Sequence, residues 1–259
     1  MSGKKHLAIA SLLWLVIINQ AKAAENSQID NKLAVMLNKL SPLKDGCHPD
    51  QLNAANGALA KYLCQVCLDR QLQSAPLRKA QDAGLSVVSS TDGKLRYYSW
   101  DTLTGGTMHF FDAVVVYDGG SEKMNVELRT DDNNNKNEAA SSYDQLDTIK
   151  TIEGKTVYLV QGLDIGATIL HSRTIQALVI DQGKLKKFPF FRTPKKLLDN
   201  ISYCFADYGN DTDIKFSKDK QTLSIPLLKA DPKNPDINIA TGRFLTYRFD
   251  GSHYVFKAH

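Results

Sequence analysis

"LSVVSSTDGKLRYYSW", residues 85 to 100, decides how the rest of the chain is read. Before Leu85 the apolar residues recur with a helical period, and after it they alternate as in strands. Asp92-Gly93 in its middle is the signature of a two-residue hairpin turn, so the stretch reads as strand, turn, strand. Two later stretches have the same form. They are "LDTIKTIEGKTVYLVQGL" (146–163), turning at Glu153-Gly154, and "DIKFSKDKQTLSIPLL" (213–228), turning at Lys218-Asp219.

A second kind of hairpin follows each of these. "TMHFFDAVVVYDGGSEKMNVEL", "TIQALVIDQGKLKKFPFF" and "GRFLTYRFDGSHYVFK" turn at Asp118-Gly119, Asp181-Gln182-Gly183 and Asp250-Gly251. The first turns lie 61 and 65 residues apart, the second turns 63 and 69. Two independent landmarks keep nearly the same period, which is how a repeated unit shows itself. Three units follow, at about 85–129, 146–191 and 213–256, each a four-stranded antiparallel meander. The fold class is mainly β with an N-terminal helical section. Meanders at this scale are the habit of propeller blades, and three of them fit an open, propeller-like arc, with a β-sandwich as the alternative.

The N-terminus points to export. Lys4 and Lys5 precede the apolar run Leu7–Ile18, and Ala21-Lys22-Ala23 offers a small-x-small cleavage site. This is a signal-peptide pattern over residues 1–23, cleaved near Ala23/Ala24, with a hydrophobic run short for a membrane span. The expected location is periplasmic or secreted, without a stable membrane anchor. Residues 1–23 hold three of the 32 basic residues and none of the 28 acids, which leaves residues 24–259 at a net charge of +1. Nucleic-acid binding needs clustered basic charge and is not expected.

Residues 24–84 read as helices. Leu33, Met36, Leu37 and Leu40 form one apolar face, and Leu52, Ala55, Leu59, Leu63 and Val66 form another, with Asp50 as the expected N-cap. A third short helix is expected in "APLRKAQDA" (75–83). Cys47, Cys64, Cys67 and Cys204 make an even count in an oxidising compartment, and two disulfides are expected, Cys47–Cys64 and Cys67–Cys204. "CQVC" has redox spacing but lies inside a helical pattern rather than at a helix start.

The linkers are polar or basic. "DDNNNKNEAASS" (131–142) reads as a surface loop, since the spacing and glycine of a calcium-binding loop are missing. "GKLKKFPFFRTPKK" (183–196) reads as an amphipathic edge strand and a basic loop, with contact to an acidic partner or lipid headgroups as the sharper reading.

Candidate chemistry gathers at "SWDTLTGGTMH". Alternation puts Leu95, Tyr97 and Ser99 on one face and Arg96, Tyr98 and Trp100 on the other. Trp100 is then expected to pack between adjacent sheets, with Asp101 accepting from turn amides. A rim pocket of Tyr98, Trp100, Asp101 and His109 is the functional alternative. His109 and His171 hold similar places in two units, but no spacing supplies a third metal ligand. There is no Gly-x-Ser-x-Gly elbow, and no cofactor or metal is implied.

Residues 90–109, "STDGKLRYYSWDTLTGGTMH", resemble a group of bacterial secreted or envelope proteins in which such a stretch follows a helical section. The resemblance implies location and architecture, not chemistry. The expected role is that of a non-enzymatic exported binding protein, of inhibitor or immunity type, with a protein or glycan partner in the envelope. The alternative is an envelope-acting hydrolase working through carboxylates and His109 near the Trp100-Asp101 turn.

Overall fold

The computed structural model describes residues 3–46, 48–130 and 139–258, with side chains from residue 20 on. Helix α1 (Gly3–Asn38) runs through the expected cleavage point. It is followed by α2 (Leu40–Asp45), α3 (Pro49–Val66), a 3-10 turn at Arg70–Ser74 and the short α4 (Arg78–Asp82). The N-cap of α3 is His48, not Asp50. Pro49 occupies the first turn, where its missing N–H costs nothing, and Asp50 complements the helix dipole there. Asp30 on α1 accepts from the backbone N–H groups of Lys79 and Ala80, which ties α4 to α1.

Three antiparallel meanders follow. The first sheet is β1 (Ser86–Ser89), β2 (Leu95–Asp101), β3 (Phe111–Tyr117) and β4 (Asn125–Arg129), in that order. The second is built on β5 (Ser142–Lys150), β6 (Thr156–Ile165), β7 (Leu170–Asp181) and β8 (Lys184–Lys187). After β8 the chain leaves this sheet. Strands β9 (Phe191–Arg192) and β10 (Leu197–Leu198) join the third sheet, and β11 (Asn200–Ala206) returns to pair with the first half of the long β7. The third meander is β12 (Lys215–Phe216), β13 (Thr222–Asp231), β14 (Asn234–Phe249) and β15 (Tyr254–Lys257).

The layers stack in chain order. One buried cluster joins α1 and α3 to one face of the first sheet: Leu33, Leu37, Leu59 and Leu63 meet Tyr98, Trp100, Val114 and Val116. The other face, with Leu95, Tyr97, Ala113 and Val115, packs on Tyr143, Tyr158 and Val160 of the second sheet. The second sheet's far face, with Val157, Leu159, Ile175 and Ala177, packs on Leu223, Ile225, Tyr247 and Tyr254 of the third. The first sheet is therefore buried on both sides, which is why "AVVVY" on β3 is an unbroken apolar run. There are three sheets in succession rather than the two of a sandwich, and only the first keeps the expected four strands: β11 enlarges the second to five, and β9 and β10 enlarge the third to six. The helices cover the face of the first sheet that the second sheet leaves free.

Neighbouring turns lock the layers. Ile152 N–H donates to Gly251 O between the second and third sheets at 2.8 Å, and Tyr158 O–H donates to Asp92 between the first and second at 2.9 Å. Phe190 and Phe191, in the stretch expected as an edge strand and basic loop, are fully buried in the core between the second and third sheets. The apolar half of that segment is interior rather than a contact surface.

Cys64, Cys67 and Cys204 carry free thiols. The bridge expected between Cys67 and Cys204 is not formed. Cys67 is buried beside Tyr98 under the helices, whereas Cys204 is exposed on β11 of the second sheet. Cys64 is free as well, and Cys47 lies outside the described residues. Residues 131–138 of the polar linker also lie outside them. Among the described residues no helix is long and apolar enough to cross a membrane.

Candidate functional site

The corner between β2 and β3 does not gather the four residues of the expected rim pocket. Tyr98 and Trp100 point to the helices and are 0% and 2% exposed, so Trp100 packs under α3 and not between adjacent sheets as expected. The Trp100 indole N–H donates to Asn56 Oδ1 at 3.0 Å, and the Asn56 amide donates to Thr102 O at 2.8 Å and Leu52 O at 3.0 Å. One buried asparagine on α3 thus holds both the tryptophan and the first residue of the turn. Arg96, on the same face, donates to the carbonyls of Leu72, Gln73 and Ala75 around the end of the 3-10 turn, and its guanidinium lies 5.0 Å from the Tyr98 ring centroid. Burial pushes the Cys67 thiol beside Tyr98 up to about 12.

Asp101 and His109 do come together. Asp101 Oδ1 accepts from the Leu103 N–H at 2.8 Å, as expected of a turn carboxylate, and this holds Leu103 in the left-handed region at φ 58°. Asp101 Oδ2 lies 2.5 Å from His109 Nδ1. The imidazole is thereby oriented by a carboxylate, with Nε2 left as its other nitrogen. The turn between them needs glycine at 105, where a Cβ would lie 2.0 Å from Met108 O. The His109 backbone N–H donates to Ile165 O at 2.9 Å, fixing the corner to the end of β6.

A cavity of about 390 Å³ opens between this corner and the second sheet. Met108, His109 and Phe111 line one side. Val160, Gly162, Asp164, Thr174 and Gln176 line the other, and the wall also takes in Ala140, Ser141, Lys187 and Asn200. Gly162 lets the 139–141 segment lie close, since a Cβ there would sit 2.9 Å from Ser141 Cβ. Asp164 accepts from the Ser172 hydroxyl at 2.9 Å. Met108, one of the lining side chains, is 47% exposed. His171 lies on β7, 3.7 Å from Asp207 rather than beside His109. Among the described residues no three His, Cys, Asp or Glu side chains assemble as a metal site.

The arrangement offers a small-ligand volume with an exposed methionine, one carboxylate, one lysine and an oriented imidazole. Sequence reasoning found Asp101 and His109 but missed Asn56 and Gly162. Asn56 had a signal, a polar residue within the apolar stripe of α3. Gly162 had none beyond being a glycine inside a strand.

No family model, curated protein or solved structure matches the chain.

Proposed function

We propose that the chain is an exported, non-enzymatic binding protein of the bacterial envelope. Its protein or glycan partner would be engaged at the corner cavity between the first and second sheets. The observation that carries this reading is the cavity itself. Its walls come from two separately formed sheets, and Met108 at its wall is left exposed, an apolar side chain that a partner would cover. Methionine suits such a position because it adapts to irregular surfaces. The signal-peptide pattern and the resemblance of residues 90–109 to secreted proteins support the location. An inhibitor or immunity role fits a site built from loops on a rigid stack.

The test is capture from envelope extract with purified mature protein, comparing wild type with Met108→Asp and His109→Ala. A partner retained by wild type and lost by Met108→Asp supports the reading. Nothing retained by wild type overturns it. Trp100→Ala is not a useful probe, because its side chain belongs to the core.

The Asp101–His109 pair favours a second reading, hydrolysis of a cell-wall glycan with His109 as general base. That reading requires turnover by wild type and its loss in both Asp101→Asn and His109→Ala.

A further inference from the structure

Between the second and third sheets the apolar core stops short of one end. Gln161 on β6 continues the row of Val157 and Leu159, and Arg173 on β7 continues that of Ile175 and Ala177. Gln161 is 1% exposed, yet its amide nitrogen has no hydrogen-bond partner among the described residues. Arg173 gives Nη1 to Asp144 at 2.6 Å and Nη2 to Asp213 at 2.8 Å, while its Nε–H has no such partner. Both residues line a cavity of about 470 Å³, closed on the other side by Lys215 and Phe216. A buried donor left unmade forfeits its hydrogen bond to water, and folded proteins rarely keep one without a use.

The chemistry of the wall selects the ligand. Two cations face two carboxylates, so the wall has no charge excess, and Lys215 is itself paired with Asp211. A phosphate or carboxylate would meet Asp144 and Asp213 at close range. A neutral hydroxyl group meets no such penalty. It accepts from the Gln161 amide or the Arg173 Nε–H and donates to the carboxylates of Asp144 and Asp213, whose side chains are 40% and 59% exposed. Phe216 supplies an apolar surface alongside. We propose that this polar cavity binds a neutral saccharide, with Gln161 and Arg173 as donors and Asp144 and Asp213 as acceptors. The site is separate from the corner cavity, and either can fail without the other.

The test is calorimetric titration of the mature protein with maltose, cellobiose and the disaccharide of N-acetylglucosamine. Glucuronate and inorganic phosphate serve as charged probes. At least one neutral sugar is expected to bind saturably, and neither charged probe to compete with it. Gln161→Met should weaken binding about tenfold, the equivalent of ~1.4 kcal/mol, without lowering the urea midpoint, because it removes an unmet donor. The conservative Asp213→Asn should weaken binding as well while keeping the cavity's shape. Failure of all three sugars to bind wild type overturns the proposal. So does Gln161→Met binding as well as wild type, or a charged probe binding more tightly than every neutral sugar.

Discussion

Among the described residues Trp100 is the largest side chain fully enclosed by the fold, and its indole N–H donates to Asn56 Oδ1. Trp100→Ala is expected to cost ~3–5 kcal/mol, read as a lower urea midpoint, because it leaves a cavity and a buried amide oxygen short of its donor. Thiol chemistry separates two cysteines. Maleimide at neutral pH should modify exposed Cys204 in the native protein, whereas buried Cys67 should react only after unfolding. Rapid labelling of Cys67 in the native protein would contradict its place under the helices. At this scale the sequence was partly legible. Alternation in "LRYYSWD" placed Tyr98 and Trp100 together, opposite Leu95 and Tyr97. It could not tell what covers each face, because a period of two fixes direction and not neighbours. For the same reason the cysteine count implied bridges while saying nothing of the distance between Cys67 and Cys204.

The hairpins carry the next level of argument. Gly154 and Gly251 both sit at positive φ, 80° and 97°, but only Gly251 has a close neighbour, Ile152 Cγ2, at 2.7 Å from an added Cβ. Gly154→Ala should therefore cost ~1 kcal/mol, from backbone strain alone. Gly251→Ala should cost more, since it also pushes apart the turns that join the second and third sheets. Thermal unfolding of the two variants side by side tests the ranking, and equal melting temperatures would refute it. The Asp-Gly turns were legible because their chemistry is local. The paths of β9, β10 and β11 were not. "FPFF" is too short to show a period, and its burial depends on Tyr254 and Phe249, about sixty residues later in the chain.

For the molecule as a whole, alkaline pH is the sensitive direction. Burial, first among the causes, raises the thiol of Cys67 to about 12 and the phenol of Tyr117 to about 12, and it also raises Tyr98, Tyr158, Tyr203 and Tyr254. These groups hold their protons in the folded state at pH values where the unfolded chain has lost them. Their contribution is complete below the unfolded pKa of about 9 to 10 and is lost as pH rises towards the folded values. Urea midpoints measured from pH 7 to 11 should stay level to about pH 9 and then fall. A midpoint that rises above pH 9 would count against the buried positions of these groups. The helical section, the change of period at Leu85 and the three meanders could all be read from the sequence, because each rests on patterns a few residues long. The order of the layers and the two cavities could not, since they arise where separate sheets meet.

Because the buried clusters of the described residues join each layer only to its neighbours in the stack, the stack has a direction. Pulled by its two termini in an optical trap, the protein should lengthen in discrete steps rather than in one rupture. The carboxyl-terminal sheet, supported on one face only, should be the first to let go, and the helix-backed sheet at the other end should hold longest.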